Sequence, residues 1–357
     1  MPVLKPNVLL VERVAALRKA HADAGIPRAE LDLSGGIDSA VMAGLLVDAL
    51  GPQNVTLAHT MMSTSGEQTR RAVALAKGLG CRLAVGDFTQ IYDEIVGKIV
   101  NTLADAGYDR AGIKARCMAD PTILGSIRST LRAPLGRAYN RLMGGGIRHG
   151  TGNEDEDRFL RYYQKGGDGE VDSNPIAFLS KGETYQLALA LANHFDSLVK
   201  YTTGNNQDTE VKAAFLDIIK AMPSADLWGV GDKHTDEGEL VKWLGVPFTY
   251  SRIDPDTGEY TTVGTIERVN RFLDYTMVNG ANPLFDAAEP YWDLTVTLAE
   301  ESGLFEGLSR SEVAALLKGA RKAEKATRHK LNPNLPTYGD RAYLVKEGIL
   351  TDELPNL

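Results

Sequence analysis

Cysteine is nearly absent: 357 residues include only Cys81 and Cys117, with no CxxC spacing. Two distant thiols exclude a disulfide framework and a Cys-rich zinc site, and they suit a reducing, cytoplasmic setting. No run of about 18 apolar residues exists to form a membrane-spanning helix. Residues 1–25 carry Lys5, Glu12, Arg13, Arg18 and Lys19 where a secretory signal would be apolar. Positive charge is not in excess either: 47 acidic against 39 basic residues give a net charge of −8. That argues against nucleic acid or an anionic membrane as the main partner, because both need concentrated positive charge. Internal repeats and low-complexity tracts are missing. Two phosphate-binding signatures are missing as well. Lys181 has neither the glycine nor the loop of a P-loop, and a dinucleotide fingerprint begun at Gly144 and Gly146 fails at His149.

What remains is an ordinary globular composition, 43% hydrophobic and 24% charged. Val8, Val11, Val14, Ala15 and Leu17 recur at helical spacing, predicting an amphipathic helix over 7–25. Short apolar runs at 31–33, 55–62 and "RLAVGDF" alternate with helical stretches, and "GGGIRHGTGN" at 144–153 reads as a further buried strand. Such alternation predicts βαβ units, a doubly wound parallel sheet with helices on both faces. Ligands of such sheets sit where strand C-termini meet helix N-termini. From Ser251 to Gly280 the texture turns polar, turn-rich and strand-like, which predicts an inserted lobe at 251–280. A charged helix follows at Ser309–Lys325, then a proline-broken tail.

The stretch "LDLSGGIDSAVMAG", residues 31–44, places two glycines between a strand and a helix. Backbone N–H groups of the turn and the helix N-terminus then converge on one spot, with the Ser34 and Ser39 hydroxyls beside them, which makes an anion site. Asp38 beside a polyphosphate calls for a hard divalent cation such as Mg²⁺. A plain helix cap by Asp38 or Ser34 is the competing reading of the same residues.

Ser34-Gly-Gly-Ile-Asp-Ser39 resembles the pyrophosphate loop of the N-type ATP pyrophosphatases. "HGTGNEDE" with "GDGEVDSNPIAFLSKGETYQLA", then "MPSADLWGVGDKHTDEGEL" and "RHKLNPNLP", resemble the later signatures of the ammonia-dependent NAD synthetases, in the same order. The resemblance spans Leu31 to Pro336 and implies an adenine nucleotide alpha-hydrolase-like, Rossmann-like fold over a single domain, 1–357, without a glutaminase domain. It implies that ATP adenylates the carboxylate of deamido-NAD, that pyrophosphate leaves, and that ammonia then displaces AMP. Within that resemblance Ser34, Gly35, Gly36 and Ser39 would cradle phosphates, and Asp38 and Glu156 would hold Mg²⁺. Lys181 and Ser224 would stabilise the leaving pyrophosphate, Thr151 and Arg132 would line the nucleotide site, and Asp168, Asp172 and Arg137 would meet the acid substrate. A homodimer is implied too, with ammonia drawn from solution or from a separate partner.

Each residue has a simpler reading. Glu156 lies in the acidic run "EDED", which by itself reads as a solvated face. Ser224 and Asp226 could cap a turn after Pro223, Trp228 could simply pack, and Asp168 and Asp172 could be turn residues beside glycines. Lys181 at a helix start opposes the helix dipole, and that misfit favours a ligand. His149 and His329 read as structural or exposed, with no serine or cysteine to pair them into a hydrolase triad. The chain also departs from the family. "GSIRSTLRAPLGRAY" at 125–139 is the best match to the arginine-rich substrate helix, with Thr130 at its first arginine. "GIKARCM" at 112–118 is an earlier, poorer placed match. The alternatives are therefore an adenylating ligase acting on another carboxylic acid or amine, or a nucleotide-binding subunit without catalysis.

Overall fold

The computed structural model describes the chain except residues 1–4, 121, 205–206, 208, 225–234, 279–291, 328–329, 331–340 and 353–357. Its first half alternates strand and helix: α1 (Pro6–Ala24), β1 (Ala29–Asp32), α2 (Ile37–Leu50), β2 (Val55–Met61), α3 (Gly66–Gly78), β3 (Leu83–Asp87) and α4 (Thr89–Asp105). Then come α5 (Arg110–Ala119), α6 (Thr122–Leu142), β4 (Ile147–Arg148), the short α7 (Glu154–Asp157), α8 (Lys181–Thr203) and α9 (Glu210–Ile219). The strands form one parallel sheet in the order β3-β2-β1-β4. Successive strands step outward from β1 to β3, and β4 returns to the other side of β1. Such a reversal opens a crevice at the strand C-termini.

One sheet face is apolar because alternate residues of each strand point the same way. Leu31, Leu33, Val55 and Leu57 pack there with α1, α2, α8 and α9 in the main core. The helical expectation for 7–25 holds, but its buried face is Leu9, Leu10, Val14 and Leu17, whereas Val8 and Val11 are exposed. The opposite sheet face lies under α6.

The second half is α10 (Asp236–Leu244), a hairpin of β5 (Arg252–Ile253) and β6 (Tyr260–Thr262), α11 (Thr265–Val278), α12 (Trp292–Glu301), α13 (Arg310–Thr327) and α14 (Arg341–Lys346). The strand-like reading of 251–280 holds only for its first third. Thr265–Val278 is a helix, and its Ile266, Val269, Phe272 and Leu273 recur at helical spacing inside a second apolar core with α10, α12 and α13. Residues 279–280 of that stretch lie outside the described residues. None of the described helices is long and apolar enough to cross a membrane.

Candidate active site

The glycine turn follows β1 directly. Gly35 has φ +84°, and a Cβ there would stand 2.2 Å from the Gln68 carbonyl oxygen, so only glycine fits. α2 starts at Ile37 with Gly36 as its cap, and among the described residues no side chain bonds its first-turn amides. The cap reading of Asp38 therefore fails, and the helix N-terminus keeps its free donors. The Ser34 hydroxyl accepts from the Gly36 amide at 3.2 Å and lies 3.0 Å from the Ser39 hydroxyl, which donates to the Gly36 carbonyl at 3.0 Å. Arg71 Nε donates to the Gly35 carbonyl at 3.0 Å, which holds the turn from the side of α3.

Across from the turn, Ser180 and Glu183 form a capping box that starts α8 and makes Lys181 its first residue. Lys181 is buried, and its Nζ donates to Asp38 Oδ2 at 2.8 Å and to Glu156 Oε1 at 2.6 Å. Asn153 Nδ2 donates to Asp38 Oδ1 at 2.9 Å, and the Asn153 side chain also caps α7 through the Glu156 amide. Burial alone would push the Lys181 ammonium toward neutrality, but Asp38 and Glu156 more than offset it and hold its pKa well above the ordinary lysine value. Burial lifts Glu156 to about 7, opposed by Lys181 and helped by Asp38. The acidic run is thus not a solvated face: Glu154 and Asp155 are buried, and Asp155 Oδ2 accepts the Lys181 backbone N–H at 2.9 Å.

These groups line a cavity of about 220 Å³ at the crevice, reached by Ser34, Gly35, Gly36, Asp38, Glu156 and Lys181. Thr151, Arg132 and Ser224 are on its walls, and Gln68 Nε2 donates to the Ser224 carbonyl at 3.3 Å. Ser39 stands behind the wall and is buried. A second cavity, of about 560 Å³, opens between α6 and the 161–168 segment, with Ser129, Tyr163, Trp243 and Lys330 on its walls. Tyr162 and Asp168 line both cavities. Asp168 Oδ1 accepts the Ser129 hydroxyl at 2.7 Å, which tethers it to α6. Asp172 and Arg137 line neither cavity and pair with each other at 2.8 Å. Asp226, Trp228 and His329 lie outside the described residues.

Several site residues carried no signal of their own. Asn153 was inside a quoted motif without a role, whereas Gln68, Arg71 and Tyr162 follow no local rule. The histidine reading needs correction. Ser173 Oγ lies 2.7 Å from His149 Nδ1, and His149 Nε2 lies 3.0 Å from His21 Nε2, so a serine partner exists. His21 Nδ1 faces the Ile26 carbonyl at 2.7 Å, and all three side chains are buried and outside the linings of both cavities. They therefore reach neither cavity. Cys81 precedes β3, and burial pushes its thiol up to about 11, where it is a poor nucleophile.

An all-parallel sheet with its crevice at the strand reversal, and a bare helix N-terminus facing it, defines an α/β protein built to hold an anionic ligand. Comparison with known proteins narrows that class. The NAD synthase family model matches residues 9–260, and the chain belongs to this family of ATP-using ligases that form C–N bonds. The NH(3)-dependent NAD(+) synthetase of Pyrobaculum aerophilum is 33% identical over 240 residues, covering 66% of this chain and 74% of that one. Among solved structures, the NMN synthetase of Francisella tularensis superposes with a TM-score of 0.57 at 20% identity, covering 93% of this chain and 99% of that one. The NH3-dependent NAD synthetase of Campylobacter jejuni gives 0.52 at 17% identity, covering 93% and 100%. At these identities the two structures speak for the fold.

Proposed function

We propose that this protein forms NAD from deamido-NAD, ammonia and ATP, and that Lys181 between Asp38 and Glu156, facing the glycine turn, is the observation that carries the reading. A carboxylate is a poor electrophile. In the first step a carboxylate oxygen of the acid attacks the α-phosphorus of ATP, the bond to the bridging oxygen breaks, and pyrophosphate leaves. The α2 amides, Ser34 and Lys181 face the charge that builds on it, and fixed donors at such a point lower the barrier most. Ammonia then attacks the acyl carbon, AMP departs and a proton is lost. Asp168, on the wall shared by both cavities, would orient the acid, whose ring would enter the larger one. The chain works as one domain.

Asp38 and Glu156 suit Mg²⁺ by their chemistry: two carboxylates open to the cavity, 16% and 18% exposed, beside the expected phosphates. Among the described residues no cluster of three or more metal-binding side chains exists. Two carboxylates plus substrate phosphates are enough to hold such an ion. Mg²⁺ there would neutralise phosphate charge. Exposed Ile91, Ile99, Met118 and Leu142 on α4–α6 support a homodimer, which a gel-filtration mass above 38.7 kDa would register. Cytoplasmic residence fits the free cysteines. The reading is tested by pyrophosphate release from Mg-ATP and ammonium, with and without deamido-NAD. Release that requires deamido-NAD, with NAD formed in step, supports it. Mg-ATP binding without that stimulation points to another carboxylic acid, and no turnover with any acid points to a binding subunit.

A further inference from the structure

The family match ends at residue 260, yet residues beyond it reach the segments that carry Lys181 and Glu156. Leu344, Ile349 and Leu350 are buried in the main core, and the Lys5 amide donates to the Ile349 carbonyl at 3.3 Å. This docking delivers the guanidinium of Arg341, at the start of α14, into the interior, where the residue is 7% exposed. Its Nη1 and Nη2 donate to the two carboxylate oxygens of Glu183 at 3.0 and 3.1 Å. Nη1 also lies 3.7 Å from Glu154 Oε2, and Nε donates to Asp352 Oδ1 at 3.2 Å.

Glu183 and Glu154 are not arbitrary partners. Glu183 Oε2 accepts the Ser180 amide at 2.8 Å, which closes the turn that presents Lys181. Glu154 opens α7, whose Glu156 meets Lys181, and its Oε2 accepts Arg271 Nη2 of α11 at 2.8 Å. The Glu154 amide donates to the Leu179 carbonyl at 2.8 Å and joins the two segments through the backbone.

We propose that Arg341 is a positioning residue: it clasps Glu183 and Glu154 together and so sets the separation of Lys181 and Glu156. A planar two-pronged donor is required, because a lysine ammonium cannot span both carboxylate oxygens of Glu183 with fixed geometry. Misplacing a reacting or charge-stabilising group by about 1 Å can cost on the order of 10²-fold in rate. The inference rests on the proposed function for its kinetic consequence, not for its geometry.

The test compares the full chain with Arg341→Ala and Arg341→Lys by two readings. One is amine acylation followed by mass spectrometry, which reports how accessible Lys181 is relative to the other lysines and needs no substrate. The other is deamido-NAD-dependent pyrophosphate release per folded molecule, set against the Kd for Mg-ATP. Arg341→Ala is expected to raise Lys181 labelling at least several-fold and to lower kcat about 10- to 100-fold, the usual loss when a supporting partner is removed. The Mg-ATP Kd should move far less, and added guanidinium should restore part of kcat. Unchanged Lys181 labelling, or a kcat within twofold of the parent in a folded variant, overturns the proposal. If Arg341→Ala does not fold, Arg341→Lys, which keeps the charge and loses the fork, is judged by the same two readings. A parent protein that ignores deamido-NAD defeats the substrate reading alone, and the labelling still decides the clasp.

Discussion

The two faces of the central sheet are built on opposite principles. Toward α2 and α8, Leu31 pairs in register with Leu57 and both are buried in the main core. One residue along, toward α6, Glu30 pairs with Arg148 and Asp32 with Ala58. Arg148 Nη1 donates to Glu30 at 2.6 and 2.7 Å, and Nη2 donates to Asp32 Oδ2 at 2.6 Å. α6 makes room with Gly136, where a Cβ would stand 1.7 Å from Arg148 Nη1. Burial, and then Asp32, raise Glu30 to about 7 against the pull of Arg148. Replacing a buried ion pair with apolar side chains often stabilises a protein, so this triad is not there for stability alone. Asp32 lines the smaller cavity, and its Oδ1 has no hydrogen-bond partner among the described residues, nor has the Thr60 hydroxyl on the same face. One face supplies cohesion, whereas the other brings polar atoms to the cavity.

That contrast can be broken most directly at the cavity. Lys181→Met should lower pyrophosphate release by about 10²–10³-fold, the usual loss of a charge-stabilising donor, while cooperative unfolding persists. Little change in turnover would mean that Lys181 serves structure rather than turnover.

Arg148→Met strands two carboxylates, one fully buried, and should cost about 3–5 kcal/mol in chemical denaturation. Adding Glu30→Leu should recover much of that loss, as apolar pairs tolerate burial. Leu31→Ala on the other face should cost about 2–5 kcal/mol through the cavity it leaves, with Mg-ATP affinity unchanged. No second substitution on the sheet could recover that loss so simply.

Acid sharpens the comparison at the buried histidine pair. Burial, then His21, drive His149 from 6.5 down to about 3, with Asp172 opposing. The unfolded chain therefore takes up this proton first. Stability from this group is complete above pH 6.5 and falls by about 1.4 kcal/mol per unit as the pH drops toward 3. His149→Gln should flatten that part of the curve in urea titrations at stepped pH. The smallest effect belongs to Thr60→Val. It removes a hydroxyl unpaired among the described residues and should leave the unfolding free energy within about 0.5 kcal/mol. A weaker Mg-ATP affinity in this variant would place the hydroxyl against the nucleotide.

Much of this was legible in local patterns. The strand–glycine turn–helix unit, the alternation that makes a parallel sheet and the Ser180–Glu183 box are written in short-range spacing, because backbone dihedrals and caps depend on near neighbours. The helix at 265–278 was missed because its polar residues dominate the composition, although its apolar ones keep helical spacing. The tertiary structure alone decided the rest. Lys181 meets Asp38 across 143 residues, an acidic run turns inward, and His149 finds Ser173 and His21. Arg341 reaches Glu183 across 158 residues. Sequence determined which groups the chain carries and how each short segment bends. Which charges face one another was set by burial, because a charge taken from water keeps its ionisation only where the whole fold supplies its partner.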